Sequence, residues 1–378
     1  MTSEAGYRVL VTGATGVMGG ALATLLAGDP RFEVHLGVRD PLAGERLARI
    51  LSEQSKRAIA VHAIDADHPD AGLLARIGMQ LVIDAAGPFE MRSGLLARAA
   101  ILRQAHYVDI ADARGHISAI ETRDAEAREA GVLAVSGAGL TPGLTSLLIA
   151  EHRPRFSEIA DLTVGIAEPG GDGLGPASRG ALLAGLNVPL PTVRCGAPTT
   201  TRSGRGLVHA PLGSRLRLWT TADLPELMTA PATLPALKNL RTLRSGPLGA
   251  GQRALAMLAG ARNWLPGRDP VRFINVLDME RRFDRFAARE GGALVEMRGR
   301  GLDGGPLTIR HAITVGRDGF AMLAVSPAVA LASDLAGKAV TRSGSAIAHQ
   351  ALSLVRLQAQ WQALGLDVSD VATEREAD

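Results

Sequence analysis

The sequence predicts an α/β protein, an N-terminal Rossmann domain with a doubly wound parallel sheet followed by a mixed α+β domain. Three observations carry that expectation. Short apolar segments alternate with longer amphipathic ones through residues 1–150, the pattern of βαβ units. The glycine-rich turn Gly13-Ala-Thr-Gly16-Val-Met-Gly19 follows the first apolar segment and opens a helical stretch. From about Glu151 the pattern shifts to longer alternating runs, the mark of antiparallel strands with one solvated face.

Taken in order, strands are expected at Tyr7–Thr12, Glu33–Val38, Ala58–Ile64, Gln80–Ala85, His106–Ile110 and Val132–Ser136. Helices are expected at Val17–Ala27, Met91–Gln104 and Gly115–Ala130, where charges gather on one face and Leu, Ile or Ala on the other. Gly131–Ala150 carries no charge and is as long as a membrane span. Pro142 interrupts it, so it reads as a strand, a turn at Gly137–Gly143 and a helix start. Asp161–Ala167 reads as a further strand, and Gly170–Gly175 as a mobile loop near the site. Ala293, Val295 and Met297 alternate with Glu296, Arg298 and Arg300, and Leu307, Ile309, His311, Ile313 and Val315 with Thr308, Arg310 and Thr314. With Asp303-Gly304 between them, these runs form a hairpin. Helices at Pro327–Ala336 and Ile347–Leu364 are expected to pack back on the first domain. The acidic tail after Asp367 lacks apolar periodicity and is expected to be flexible. The expected domains are 1–150, binding a dinucleotide; 151–325, for substrate and dimerisation; 326–367, the returning helices; and 368–378, the tail.

Composition narrows the function. With 46% hydrophobic and 21% charged residues over 378 positions, the chain has ordinary globular usage. Lys plus Arg is 41 and Asp plus Glu 38, a net of +3, too weak a field for non-specific nucleic-acid binding. The single Cys195 excludes an intrachain disulfide and a Cys-based metal site, and the nine scattered histidines form no ligand cluster. The start, Met-Thr-Ser-Glu-Ala-Gly, lacks a basic segment followed by an apolar core, so a cytoplasmic protein is expected. Between Met228 and Arg272 the charges are one-sided. Lys238, Arg241, Arg244, Arg253, Arg262, Arg268 and Arg272 face only Asp269, with Leu, Met and Trp interleaved. Such a segment suits peripheral contact with an anionic membrane, without any span, and equally a homodimer contact or a solvated helix face.

The glycine turn carries the cofactor argument. Glycines there permit a tight turn and close approach of the backbone to a pyrophosphate, which the helix N-terminus stabilises. Gly13, Thr15, Gly16, Val17 and Gly19 are the candidate contacts. Twenty residues beyond Gly19, where an acidic residue would hold the ribose of NAD, stands Arg39. An arginine there pairs with the 2′-phosphate of NADP, or is a surface residue beside a helix cap at Asp40-Pro41. Asp65, ending the third strand, is placed to accept from the adenine amine or to cap a helix.

The fourth strand continues as Leu81-Val-Ile-Asp84-Ala-Ala-Gly87-Pro88-Phe89, the fifth reads His106-Tyr107-Val-Asp109-Ile-Ala-Asp112, and the sixth leads to Thr141-Pro142-Gly143-Leu. With Gly-Ala-Thr-Gly, these motifs resemble the saccharopine dehydrogenase-like NADP-binding family. Arg282-Phe-Asp-Arg-Phe286 and Gly291-Gly before the hairpin are similar to a bacterial branch of it. The chain departs from that branch after the hairpin, where Gly316-Arg-Asp-Gly319-Phe replaces a Gly-His-Gly-Pro-like turn. The resemblance implies an NADP(H) site built from Gly13, Thr15, Gly16, Val17 and Arg39, with Ala86, Gly87 and Pro88 lining the path to the nicotinamide.

A Tyr-x-x-x-Lys mechanism is excluded, because Tyr7 is followed at that spacing by Val11 and Tyr107 by Ala111. The candidate catalytic groups are Tyr107, Asp109 and Asp112, with His116 beside them, at the C-terminal end of the fifth strand; Asp112 also reads as a helix cap. The expected function is an NADP-dependent oxidoreductase moving hydride to a C=N, C=C or C=O bond of a small, apolar substrate. Two other readings stand beside it: an enoyl reductase-like enzyme acting in trans on a lipid or polyketide, and a non-catalytic NADP-binding redox sensor.

Overall fold

The computed structural model describes residues 6–170, 176–213, 215–261 and 287–376. The chain divides into two compact units, one of Met1–Gly139 with Ala324–Gln360, the other of Leu140–Leu323 with Trp361–Asp378.

The first unit runs β1 (Tyr7–Thr12), α1 (Val17–Gly28), β2 (Phe32–Val38), α2 (Pro41–Ser55), β3 (Ala60–Ala63) and α3 (Ala71–Ile77). It continues through β4 (Leu81–Asp84), α4 (Leu95–Ile101), β5 (His106–Asp109), α5 (Arg114–Glu121), α6 (Asp124–Glu129) and β6 (Leu133–Ser136). The second unit contains α7 (Thr145–His152), β7 (Phe156–Ala167), α8 (Pro176–Ala184), β8 (Pro189–Arg194), β9 (Ala197–Arg202), β10 (Val208–Leu212) and β11 (Arg215–Thr221). Next come α9 (Glu226–Thr233), β12 (Asn239–Ser245), α10 (Gly249–Ala261), β13 (Glu290–Gly301) and β14 (Pro306–Gly316). The chain ends with α11 (Phe320–Ala336), β15 (Gly344–Ile347), α12 (Leu354–Ala363) and β16 (Val368–Glu376).

The sheet of the first unit has the order β15-β6-β5-β4-β1-β2-β3, parallel throughout. Successive strand residues point to opposite faces, and both faces are covered. Val9, Val11, Leu81, Ile83, Val108 and Val135 pack with Leu22 and Leu26 of α1 and with Val325, Ala328 and Leu331 of α11. Leu10, Val82, Tyr107 and Ala134 pack on the other side, with Leu74, Leu96 and Ile120. Each such fully buried Leu or Val stabilises the unit by about 1.5–3 kcal/mol. The six expected strands are present and the doubly wound fold is as read. The helix Arg317–Ala336, long and apolar enough to span a bilayer, is mostly buried, and its part from Val325 to Leu335 belongs to this core.

The second unit carries a sheet of order β10-β11-β12-β7-β13-β14-β16, in which only β12 and β7 run parallel. The expected hairpin is β13–β14, turning at Asp303-Gly304 with Gly304 at φ +82°. Gly291-Gly292 has a packing cause. A Cβ at Gly291 would lie 2.4 Å from Pro169 Cδ, and one at Gly292 1.9 Å from Ile313 O.

Several expectations are corrected. The helix read from Met91 starts only at Leu95, because Gly94 caps it at φ +70° and Arg92 is held in the preceding loop. The helix read over Gly115–Ala130 breaks into α5 and α6. Residues 344–347 form a seventh parallel strand on β6 rather than joining a helix from Ile347, which begins instead at Leu354. The tail is β16, a strand paired along β14 from Val368 to Glu376. Two of its acidic residues have partners: Asp370 meets His311 Nε2 and Glu374 meets Arg155 at 2.6 Å. The described part of the basic stretch, 228–261, is not one amphipathic surface. It spans the end of α9, the interior strand β12, and α10, with Arg244 paired to Glu168 and Lys238 3.9 Å from Glu158. Arg262, Arg268, Arg272, Arg282–Phe286 and Gly171–Gly175 lie outside the described residues.

Candidate functional site

The strand order reverses between β1 and β4, where Thr12 and Asp84 are register partners. In open parallel sheets, ligands bind beyond the C-terminal strand ends at such a point. The three glycines of the turn do different work there. Gly13 sits at φ +67°, and a Cβ on it would lie 2.6 Å from Ala85 O and 2.7 Å from Ala86 Cα, so it lets the loop after β4 close on the turn. Gly19 lets α1 pack against the turn, since its Cβ would lie 2.1 Å from Gly13 O. Gly16, exposed, meets only Gly13 O, at 3.2 Å, and has ordinary dihedrals of φ −80° and ψ 169°. The fold demands the first and the third glycine but not the second. Gly16 is also the N-cap of α1 and offers no side-chain cap, so the first helical amides stay open to an acceptor.

Thr15 is exposed and Val17 half-buried beside Gly16. Arg39 is exposed just past β2, with no hydrogen bond or ion pair among the described residues. Its neighbour Asp40 is the N-cap of α2, accepting from Leu42 N at 3.0 Å and Ala43 N at 3.4 Å. The cap reading therefore holds for Asp40 and leaves Arg39 available. Asp65 is exposed after β3 and accepts from Asp67 N at 3.0 Å. The cap of the next helix is Asp70, which corrects the alternative role read for Asp65.

Two buried carboxylates, register partners on β4 and β5, organise the strand ends. Asp84 accepts from Thr12 Oγ1 (2.8 Å), Ala86 N (2.9 Å), Arg92 Nη1 (2.7 Å) and Tyr107 Oη (3.3 Å). Burial raises its pKa, while the Arg92 guanidinium pulls the other way. Arg92 also donates to Asp67 Oδ1 (2.7 Å), Ala86 O (2.8 Å) and Ala66 O (2.9 Å), and lies 5.3 Å over the Phe89 ring. Burial works against its charge, but Asp84 and Asp67 outweigh burial and hold its pKa above the usual value. The loop Ala86-Gly87-Pro88 is thus fixed at Ala86 by both its amide and its carbonyl.

Asp109 accepts from Ser136 Oγ (2.9 Å to each oxygen), Gly137 N (2.8 Å), Ala111 N (3.0 Å) and His116 Nε2 (3.1 Å). It joins β5, the end of β6 and α5. Tyr107 and Asp109 are completely buried, and burial, followed by the charges of Asp109 and Asp84, pushes the Tyr107 hydroxyl well above its usual pKa. Such groups shape a site and do not reach a substrate, which corrects the catalytic role read for both. Asp112 is exposed in the loop before α5, whose N-cap is Ala113.

Sequence reasoning passed over Asp84, Arg92, Thr12 and Ser136. An acidic residue ending an apolar strand was the visible signal for Asp84; the loop position of Arg92 had none, since it reads as the first turn of a helix. In the second unit Glu226 is wholly buried, accepting from Thr141, Thr145 and Ser146, the first and last at 3.0 Å. Burial raises its pKa against those three donors. Among the described residues no group of His, Cys, Asp and Glu could hold a metal ion.

Comparison with known proteins agrees with this geometry. Residues 9–135 match the family described as saccharopine dehydrogenase NADP binding domain. Among the curated proteins none matches the sequence. Apo saccharopine dehydrogenase (L-Glu forming) from Saccharomyces cerevisiae shares the fold at 14% identity and a TM-score of 0.69, over 97% of this chain and 100% of that one. An amine dehydrogenase from Mycobacterium smegmatis does so at 13% identity and a TM-score of 0.51, over 92% and 96%. The likeness in fold runs well beyond the matched 9–135.

Proposed function

We propose that this chain, whose residues 9–135 form an NADP-binding domain of the saccharopine dehydrogenase kind, is an NADP-dependent oxidoreductase acting on a C=N, C=C or C=O bond of a small molecule. The observation that carries the cofactor is Gly16, the one glycine of the turn that the fold does not require, placed on the uncapped N-terminus of α1. A pyrophosphate fits there because the amides lack side-chain acceptors and no Cβ intervenes. Gly13, Thr15, Gly16, Val17 and Gly19 form the turn under the pyrophosphate, and Arg39 pairs with the 2′-phosphate. Asp65 faces the adenine, and Ala86, Gly87 and Pro88 line the nicotinamide side.

Hydride chemistry is what NADP(H) supplies when bound. The chain's own part is orientation, through the Asp84–Arg92 and Asp109–His116 pairs that fix the loops. An iminium substrate suits a site whose two strand-end carboxylates are buried in the frame, since it is already cationic and needs little protonation. The saccharopine and amine dehydrogenases that share the fold support the C=N choice by analogy of fold alone. Cytoplasmic location and a homodimer belong to the same proposal, for fractionation and light scattering to test.

Calorimetric titration with NADPH and NADH, followed by NADPH oxidation against panels of imines, activated alkenes and ketones, tests the reading. Tight NADPH binding with turnover of one panel supports it. Binding without turnover of any panel favours the redox sensor, and no binding refutes the cofactor assignment.

A further inference from the structure

His116 does not reach solvent, nor does its partner Asp109. Its Nε2 lies 3.1 Å from Asp109 Oδ2 and its Nδ1 3.2 Å from the Arg92 carbonyl oxygen. Carboxylate and carbonyl oxygens only accept, so an imidazole that satisfies both donates from both nitrogens and carries a positive charge. Burial opposes that charge, but the hydrogen bond and charge of Asp109 outweigh it and raise the His116 pKa. The imidazole ring also packs 5.0 Å from the Phe89 ring. One side chain from α5 therefore grips the loop after β4 at Phe89 and at Arg92, just beyond Ala86-Gly87-Pro88. At the other end of the same loop, the Arg92 side chain ties Asp84 to the Ala86 carbonyl. The loop is clamped from α5 and from β4.

We propose that His116 is a positioning residue for the nicotinamide half of the cofactor site, acting through the Arg92 carbonyl and the Phe89 ring to fix the loop Ala86–Arg92. This rests on the NADP reading above and assigns His116 no contact with the cofactor.

The test compares NADPH with 2′,5′-ADP, which carries the adenosine and the 2′-phosphate but no nicotinamide. Calorimetry with both probes on the full-length wild type, His116→Gln and His116→Asn separates the possibilities. A Gln amide reaches the place of Nε2 and keeps the Asp109 bond, whereas an Asn amide reaches the place of Nδ1 and keeps the Arg92 bond. The expected result is 2′,5′-ADP affinity within about twofold in all three proteins, with NADPH about tenfold weaker for His116→Gln, which loses both the Arg92 bond and the Phe89 ring contact, and a smaller loss for His116→Asn, which loses only the ring contact. Phe89→Leu leaves the buried ion pair intact and should show the same selective loss, so the inference stays testable if a His116 variant fails to fold.

Unchanged NADPH affinity in His116→Gln and Phe89→Leu would overturn the proposal. So would equal weakening of both probes, the mark of a merely structural residue, or a loss in His116→Asn as large as that in His116→Gln. A wild type that binds neither probe would instead refute the NADP reading on which the inference rests.

Discussion

Gly16→Ala and Gly19→Ala, three positions apart, should fail in opposite ways. At Gly19 the new Cβ would lie 2.1 Å from Gly13 O, 2.6 Å from Gly13 C and 3.0 Å from Ala14 Cα, all backbone atoms. Ordinary contact requires more than an ångström of extra room, which only a shift of α1 or of the turn can provide. Replacing glycine inside a helix gains about 0.5–1 kcal/mol, whereas forcing atoms into a packed place costs about 1–3 kcal/mol or more. The net expectation is a loss of about 1–2 kcal/mol, read as a lower urea midpoint with an unchanged slope. At Gly16 the nearest atom is 3.2 Å away and the dihedrals suit any residue, so stability should change by less than about 1 kcal/mol. The methyl group would instead stand where the pyrophosphate must approach. Losing one charge-assisted hydrogen bond, about 1.5–3 kcal/mol, weakens NADPH roughly 10- to 100-fold. Circular dichroism in urea and calorimetry on both variants decide it. Wild-type NADPH affinity in Gly16→Ala, or wild-type stability in Gly19→Ala, would refute the division of labour among the glycines.

Arg39→Ala should lose about tenfold or more in NADPH affinity while NADH affinity stays within about twofold, because the Arg–phosphate pair contributes about 1.5–3 kcal/mol; equal losses for both cofactors would count against it. His152 lies 2.7 Å from His311 Nδ1, and burial, then the charges of His311 and Arg155, lower its pKa to about 4. A depressed histidine favours the native state fully above its unfolded pKa near 6.5, and that contribution disappears as pH falls toward about 4. Urea midpoints should drop across that window and drop less in His152→Gln; parallel curves would show that another group controls acid stability. Deleting 368–378 removes the strand paired along β14 from Leu307 to Val315, together with the His311–Asp370 and Arg155–Glu374 contacts. It should cost more than about 2 kcal/mol and abolish hydrogen-exchange protection over Leu307–Val315, whereas retained protection would mean the edge is stable alone.

The sequence by itself determined the parts that depend on local pattern. The parallel strands, the edge strand β3 apart, are visible as apolar runs because both of their faces are covered, and the turn from Gly13 to Gly19 is visible because glycine alone tolerates such close backbone approach. The hairpin at Asp303-Gly304 follows from alternation and turn chemistry in the same way. Position along the chain also placed Arg39 at the end of β2.

What only the tertiary structure decided are relations between residues far apart in sequence. Val368–Glu376 has no apolar stripe, and reads as a tail until β14 supplies hydrogen-bonding partners and His311 and Arg155 meet its acids. Gly344–Ile347 becomes a strand only because β6 offers it an edge. Arg92 looks like the first turn of a helix, and its true place is set by Asp84, Asp67 and two carbonyls brought together by the ends of β3 and β4. Tyr107 and Asp109 have the residue types of a catalytic pair, and burial alone makes them part of the frame. Propensity and period report on near neighbours, whereas the ionisation and reach of a polar side chain depend on the distant atoms that surround it.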